Sequence, residues 1–266
     1  MSTRNDAITS HQTQCNISPL PGEGLGVRLW LLNFRPLTSG VIPRGLVFRS
    51  GKLSQLSAAQ CRRLLERHGI GCVIDLRTPI EAEEFPDPLP PGIRYEQIPI
   101  LHDSTVGFTH ELGSDPISIL RKLRSNPDLM WSLVPDFPKL YRQTVTDDYS
   151  LPQLRRVVAL IRQNMEAGIP TLMHCTAGKD RTGIASMALL KELGATEDDI
   201  VRDYMRSGRH LFLHSLAKSV GAFLIMRSWK VARIAYRSFM PEERLIRIAY
   251  ESFVPSACAG DVTQKT

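Results

Sequence analysis

Apolar residues recur along this chain in two rhythms, and the switching between them predicts a layered α/β domain. Apolar runs at 71–77 and 169–173 have the length of strands buried on both faces, and 45–50 and 94–100 read as further strands. Between them the spacing changes to three and four. Cys61, Leu64 and Leu65 share one face of a helix that Ser57-Ala58-Ala59-Gln60 starts as a capping box and Gly69 stops. Leu154, Val157, Val158, Ile161 and Met165 define a second helix over 151–167, ended by Gly168, and 184–193 reads as a third. Thr196, followed by Glu197, Asp198 and Asp199, caps a short helix at 200–205, with acidic residues where the helix dipole favours them. The order of elements predicts a central, mostly parallel sheet flanked by helices.

The pattern weakens in three places. Residues 1–24, polar and closed by Pro21-Gly22-Glu23-Gly24, predict a flexible arm, and 256–266 a flexible tail. This leaves 25–255 as one domain, its ordered part beginning with 27–34. Residues 101–149 mix short helical patterns at 117–123 and 137–145 with glycines and prolines, which predicts a lid or substrate-selecting insert. Residues 207–255 are helical and basic. They hold an echo, Arg233-Ile-Ala-Tyr-Arg-Ser-Phe-Met-Pro241 recurring as Arg247-Ile-Ala-Tyr-Glu-Ser-Phe-Val-Pro255, which reads as two similar amphipathic helices on one core rather than a solenoid.

Composition narrows the class. With 42% apolar and 23% charged residues the chain is neither a disordered protein nor a membrane bundle. The net charge of +6 suits an anionic partner, a phosphorylated protein or the surface of an anionic membrane among them. Nothing in the pattern calls for nucleic acid. Five cysteines, scattered without metal-like spacing, predict neither a disulfide framework nor a zinc site and point to a reducing, cytoplasmic setting. Cys61 and Cys72, on apolar faces, read as inert core residues. No metal and no cofactor is called for.

The chemistry lies in His174-Cys175-Thr176-Ala177-Gly178-Lys179-Asp180-Arg181-Thr182-Gly183, between a strand and a helix. Such a loop turns successive backbone amides, including those of Thr176, Ala177 and Gly178, toward one point where the helix dipole also favours negative charge. Helix terminus, amides and neighbouring cations together lower a thiol's pKa, which makes Cys175 a nucleophile. Arg181, six residues on, returns around the loop with a planar fork suited to two phosphate oxygens. Gly178 permits the sharp path, and Thr182 is placed to hydrogen-bond the Cys175 sulfur. His174 orders the loop. Asp75, within an apolar strand, is either an ion-pair partner, of Arg77 for instance, or a site residue.

The loop resembles the cysteine-arginine motif of the protein tyrosine phosphatase superfamily, and its fuller form, HCTAGKDRTG, is similar to the atypical branch of bacterial and fungal phosphatases acting on phosphotyrosine and phosphoinositides. Asn33-Phe34-Arg35, 44–51, Ile74-Asp75-Leu76-Arg77-Thr78 with Glu81, and Asp203-Tyr204 fall in that family's order. Two departures stand out: Pro36-Leu37-Thr38-Ser39 follows Arg35 where the family often has Asp-Leu-Gly-Gly, and the usual ending rich in tyrosine and glycine is missing. The resemblance implies the cysteine-phosphatase fold and hydrolysis of phosphate monoesters through a phosphocysteine, with dual-specificity or phosphoinositide activity open. As general acid it ranks Asp180 first, Asp75 second and Asp103 third. Asp180 has an alternative role as a partner of Lys or Arg that shapes the loop. Lys179 is placed to meet additional phosphates, with a solvated loop cation as its alternative. The competing readings are a pseudophosphatase that binds without turnover, a phosphatase of a small metabolite, and a sulfurtransferase or arsenate reductase.

Overall fold

The computed structural model describes residues 32–102 and 136–255. Among these residues the sheet has five strands: β1 (Arg35–Pro36), β2 (Val47–Ser50), β3 (Cys72–Asp75), β4 (Arg94–Gln97) and β5 (Thr171–His174). Their spatial order is β1-β2-β5-β3-β4, and only the β1–β2 pairing is antiparallel. The last strand in sequence is thus the central one in space. Strand order reverses around β5, and in open parallel sheets ligands bind beyond the strand ends at such a switch point.

Alternation along the strands divides the core. Val47, Cys72, Ile74 and Met173 join one apolar cluster, while Phe48, Val73 and Leu172 join the other. The second cluster is closed by Leu32, Phe34, Leu53 and helix α1 (Ala58–Arg67). Both bonds of the expected capping box are present: Ser57 accepts from the Gln60 amide, and the Gln60 side chain accepts from the Ser57 amide. Cys61, Leu64 and Leu65 are the buried residues of this helix.

The first cluster lies under α3 (Phe137–Thr144), α4 (Ser150–Glu166) and α5 (Asp180–Glu192). Before them comes α2 (Pro79–Glu84), a stretch to which the sequence pattern assigns no element. Thr78 and Glu81 form a second capping box there, and Pro79 opens the helix, where its missing amide costs nothing. Six residues bury no side chain, too short a stretch for periodicity to register.

The largest correction concerns the C-terminal third. The short helix expected at 200–205 is the start of α6 (Glu197–Met226), 30 residues long. It is followed by α7 (Trp229–Phe239) and α8 (Glu243–Ser252), which carry the two echo segments. Thr196 caps α6 by accepting from the Asp199 amide. Past residue 205 its apolar residues occupy more than one face, so the amphipathic signal fades while the helix continues. Residues 27–31 of the expected first ordered segment, the 117–123 helix, most of the lid reading for 101–149, and the arm and tail lie outside the described residues.

Candidate active site

The loop at 174–183 leaves the central strand and enters α5. Gly51, at the end of β2, packs against it: a Cβ there would lie 3.1 Å from the Thr176 carbonyl oxygen. Gly178 has φ +66°, and a Cβ on it would lie 2.4 to 2.6 Å from the backbone of Ser50 and Gly51. Only glycine fits this turn, for both conformational and steric reasons. The Gly178 carbonyl accepts from Asn33 Nδ2 (2.9 Å) and Arg49 Nη2 (2.8 Å), which ties this turn of the loop down from beneath.

A buried ion network fixes those two donors. Arg49 is paired with Asp203 of α6, and Arg35 reaches the Asp203 carbonyl (2.9 Å) and Ser207 Oγ (3.1 Å). Burial, then Arg49, lowers the Arg35 pKa to about 9, against the opposing pull of Asp203. The motif pieces around 33–35, 49 and 203 therefore act as one support beneath the loop.

Cys175 directly follows β5 and is 2% exposed. Arg181, in the first turn of α5, donates to Glu81 through Nη1 (2.5 Å) and Nη2 (2.7 Å), and to Thr176 Oγ1 (3.0 Å). The Thr176 hydroxyl in turn donates to Glu81 Oε1 (2.8 Å). Burial works against the Arg181 charge, but the Glu81 hydrogen bonds and the nearby charges of Cys175 and Glu81 raise its pKa. Burial likewise disfavours the Glu81 carboxylate, yet Arg181, then Thr176 and the Thr78 amide, hold its pKa down at about 2. Glu81 is the functional candidate that residue-type reasoning missed as a site residue. Its signal was the capping box, since a side chain held by Thr78 at a helix start is aimed and not free.

At the N-terminus of α5 no side chain caps the helix, and its first amides have no carbonyl one turn back. Thr182 Oγ1 is buried with no hydrogen-bond partner among the described residues. The expected bond from Thr182 to the Cys175 sulfur is therefore not formed, although the hydroxyl is buried in the loop's first helical turn.

The carboxylates separate by environment. Asp180 Oδ1 accepts from the Tyr141 hydroxyl (2.5 Å) and lies 3.3 Å from Lys179 Nζ, with its side chain partly exposed. Tyr141 also meets the Tyr204 hydroxyl at 2.8 Å, and burial followed by the Asp180 charge raises the Tyr141 pKa well above its ordinary value, keeping it a donor. Gly183 admits the Tyr204 ring, whose Cδ2 would be 2.8 Å from a Cβ. Asp75 is fully buried, bound by the Arg77 guanidinium (2.6 Å) and the Tyr95 hydroxyl (2.9 Å). Burial pushes the Asp75 pKa up, but His174 and Arg77 more than reverse this. Its surroundings are those of the ion pair. Asp103 lies outside the described residues.

His174 is buried between Asp87 (3.2 Å) and Asp75 (3.8 Å). These three present ligand atoms within 4.8 Å of one another, but Arg77 already bonds both carboxylates and supplies the cation that the cluster requires. Lys179 is not a solvated loop cation: it is 3% exposed and donates to the Ser238 (2.8 Å) and Met240 (3.4 Å) carbonyls at the end of α7. It also lines a cavity of about 900 Å³ with Phe137, Arg233, Tyr236 and Arg237. Burial, then Asp87, pushes the Cys61 thiol up to about 11, and burial raises that of Cys72, as inert core thiols require.

Comparison with known proteins bears on the whole arrangement. Residues 32–242 match the model of the tyrosine phosphatase family. The chain is 35% identical over 187 residues to the triple specificity protein phosphatase PtpB of Mycobacterium tuberculosis, covering 66% of each protein. It is 31% identical over 176 residues to a Cupriavidus necator protein provisionally named a tyrosine-protein phosphatase, covering 63% of this chain and 55% of that one. With a tyrosine-protein phosphatase of Nostoc commune it shares 30% over 172 residues, 64% of this chain and 51% of the relative. The match thus spans between half and two thirds of the length of these curated relatives. Since the family match takes in the supporting network, the loop and α6 together, this chain belongs to the tyrosine phosphatase family.

Proposed function

We propose that the chain is a cysteine-dependent phosphomonoesterase acting foremost on phosphotyrosine in proteins. The carrying observation is the joint placement of Cys175 at the end of the central strand and Arg181 at the start of the following helix, coupled in charge across a loop only glycine can turn. In the first step the Cys175 sulfur attacks phosphorus as the bond to the leaving oxygen breaks. Arg181 and the loop amides of 176–182 bind the charge that spreads over the equatorial oxygens. Asp180 gives its proton to the leaving oxygen. In the second step Asp180 takes a proton from water, which attacks phosphorus and returns the thiolate. His174 and Thr176 hold the loop and its arginine in place.

The names of the relatives support an aryl phosphate. The relative named for triple specificity supports a wider range for this site. The intact Cys175 and Arg181 speak against a pseudophosphatase. Asp75, sealed by Arg77, has no part in the proton transfers of this scheme.

The test is hydrolysis of an aryl phosphate with EDTA present, wild type beside Cys175→Ser and Asp180→Asn. Cys175→Ser is expected to lose more than about a thousandfold in kcat. Asp180→Asn is expected to slow substrates with poor leaving groups about a hundredfold and good ones far less. No turnover by the wild type between about pH 5 and 7 overturns the enzyme reading. Turnover by Cys175→Ser overturns the mechanism, and equal losses in Asp180→Asn remove that residue as the acid. Phosphotyrosine, phosphoserine and phosphothreonine peptides beside a short-chain phosphoinositide then rank the substrates.

A further inference from the structure

We propose that the hairpin of α6 and α7 docks on the surface of a bilayer containing anionic lipid. Residues 204–241 hold seven Lys and Arg and no Asp or Glu, so the chain's net charge of +6 is concentrated there and the remainder is close to neutral. A helix on a globular protein normally hides its large apolar residues and exposes small or polar ones. The second half of α6 largely reverses this. Ser215 is buried and Ser219 donates to the Ala232 carbonyl of α7 (2.9 Å), while Phe212, Leu213, Leu216, Val220 and Leu224 are exposed, Leu224 by 69%.

Positions 202, 206, 209, 213, 216, 220 and 224 follow one another at steps of three and four, so they share a stripe. It is arginine for its first three positions and aliphatic for the next four. At the far end Trp229 is 77% exposed with its ring against Phe223, 4.3 Å between centroids. Arg209 in the stripe and Arg227 just past the end of α6 are exposed, while Lys230, Arg233 and Arg237 of α7 are exposed where they line the cavity beside Lys179.

An apolar ridge bordered by cations matches a membrane interface, where acyl chains take the ridge, phosphates take the cations and tryptophan sits at the boundary. A second copy fits poorly, because a two-fold interface would set this cationic hairpin against itself. The contact is peripheral: no helix among the described residues is long and apolar enough to cross a membrane. It does not depend on the phosphatase reading.

The test is sedimentation of the full chain with vesicles of phosphatidylcholine, alone or mixed with phosphatidylserine. The wild type is expected to bind the mixed vesicles on the order of tenfold more tightly than the neutral ones at about 0.1 M salt, and to lose most of that at about 0.5 M. Leu213→Ser with Leu216→Ser and Val220→Ser is expected to weaken binding about tenfold, and so is Arg209→Glu with Arg227→Glu. All these side chains are exposed, so the circular dichroism of both variants should match the wild type. As a measurement on the unchanged fold, brominated lipid is expected to quench wild-type tryptophan fluorescence, and Trp229→Ala to remove the quenched component. The proposal is overturned if the wild type ignores anionic lipid, or if both variants bind as it does. It is also overturned if the wild type is a dimer that the serine variant dissociates while vesicles capture neither, which assigns the ridge to a second copy.

Discussion

Glu81 and Tyr141 do for the candidate site what its own reactive residues cannot. Glu81 holds Arg181 with two hydrogen bonds. Because its pKa is depressed from 4.5 to about 2, the stability it contributes is full above about pH 4.5 and is lost as the pH falls through 2. The difference in unfolding free energy between wild type and Glu81→Gln is therefore expected to shrink over that window. Its plateau near neutrality should be on the order of 3 kcal/mol, measured by denaturant unfolding across pH. A difference independent of pH would remove the ion pair as its cause. Tyr141 donates to the proposed acid from full burial. Tyr141→Phe should cost about 1 kcal/mol in stability. Its larger effect should be on kcat, roughly tenfold for poor leaving groups and little for good ones, with KM unchanged. Equal effects on both classes would reduce Tyr141 to packing.

Among the elements, α6 joins the second half of the chain to the loop. Its Asp203 closes the network through Arg49 to the Gly178 carbonyl. Arg49→Met leaves that carboxylate short of a partner in a buried site, with an expected loss of about 3 kcal/mol in unfolding free energy. Since the loop hangs on the same guanidinium, kcat should fall with it. Stability lost with kcat retained would show that Asn33 alone holds the turn. How much of this was readable depends on which signal each element carries. The helix at 58–67 has one apolar face and a capping box, and both survive folding unchanged. Strands 72–75 and 171–174 are buried throughout and apolar in their middle positions, because apolar clusters cover both sides of the sheet. By contrast, α2 buries nothing and α6 is apolar on faces that periodicity assigns to opposite environments, so one was missed and the other cut short.

Over the whole molecule, burial and charge are unevenly distributed. The strand and helix flanking the loop are almost wholly buried, whereas the outer half of α6 is half exposed. Amide exchange is expected to be slowest in 171–174 and 184–190 and fastest toward 212–226, and inorganic phosphate should slow the amides of 176–182. Uniform protection would contradict this gradient, and phosphate without effect on 176–182 would contradict the anion cradle. Legible along the chain were the local facts: the α/β class, the capped helices at 58–67 and after Thr196, and the spacing between Cys175 and Arg181. These rest on interactions between residues a few positions apart, which a linear reading retains. Folding alone settles that β5 is the central strand, that Glu81 from 100 residues away grips Arg181, that Asp75 is sealed by Arg77 while Asp180 stays partly open, and that Lys179 faces the α7 carbonyls. Each of these depends on which distant groups share a buried volume, where an unpaired charge is too costly to leave, and no spacing along the chain encodes that choice.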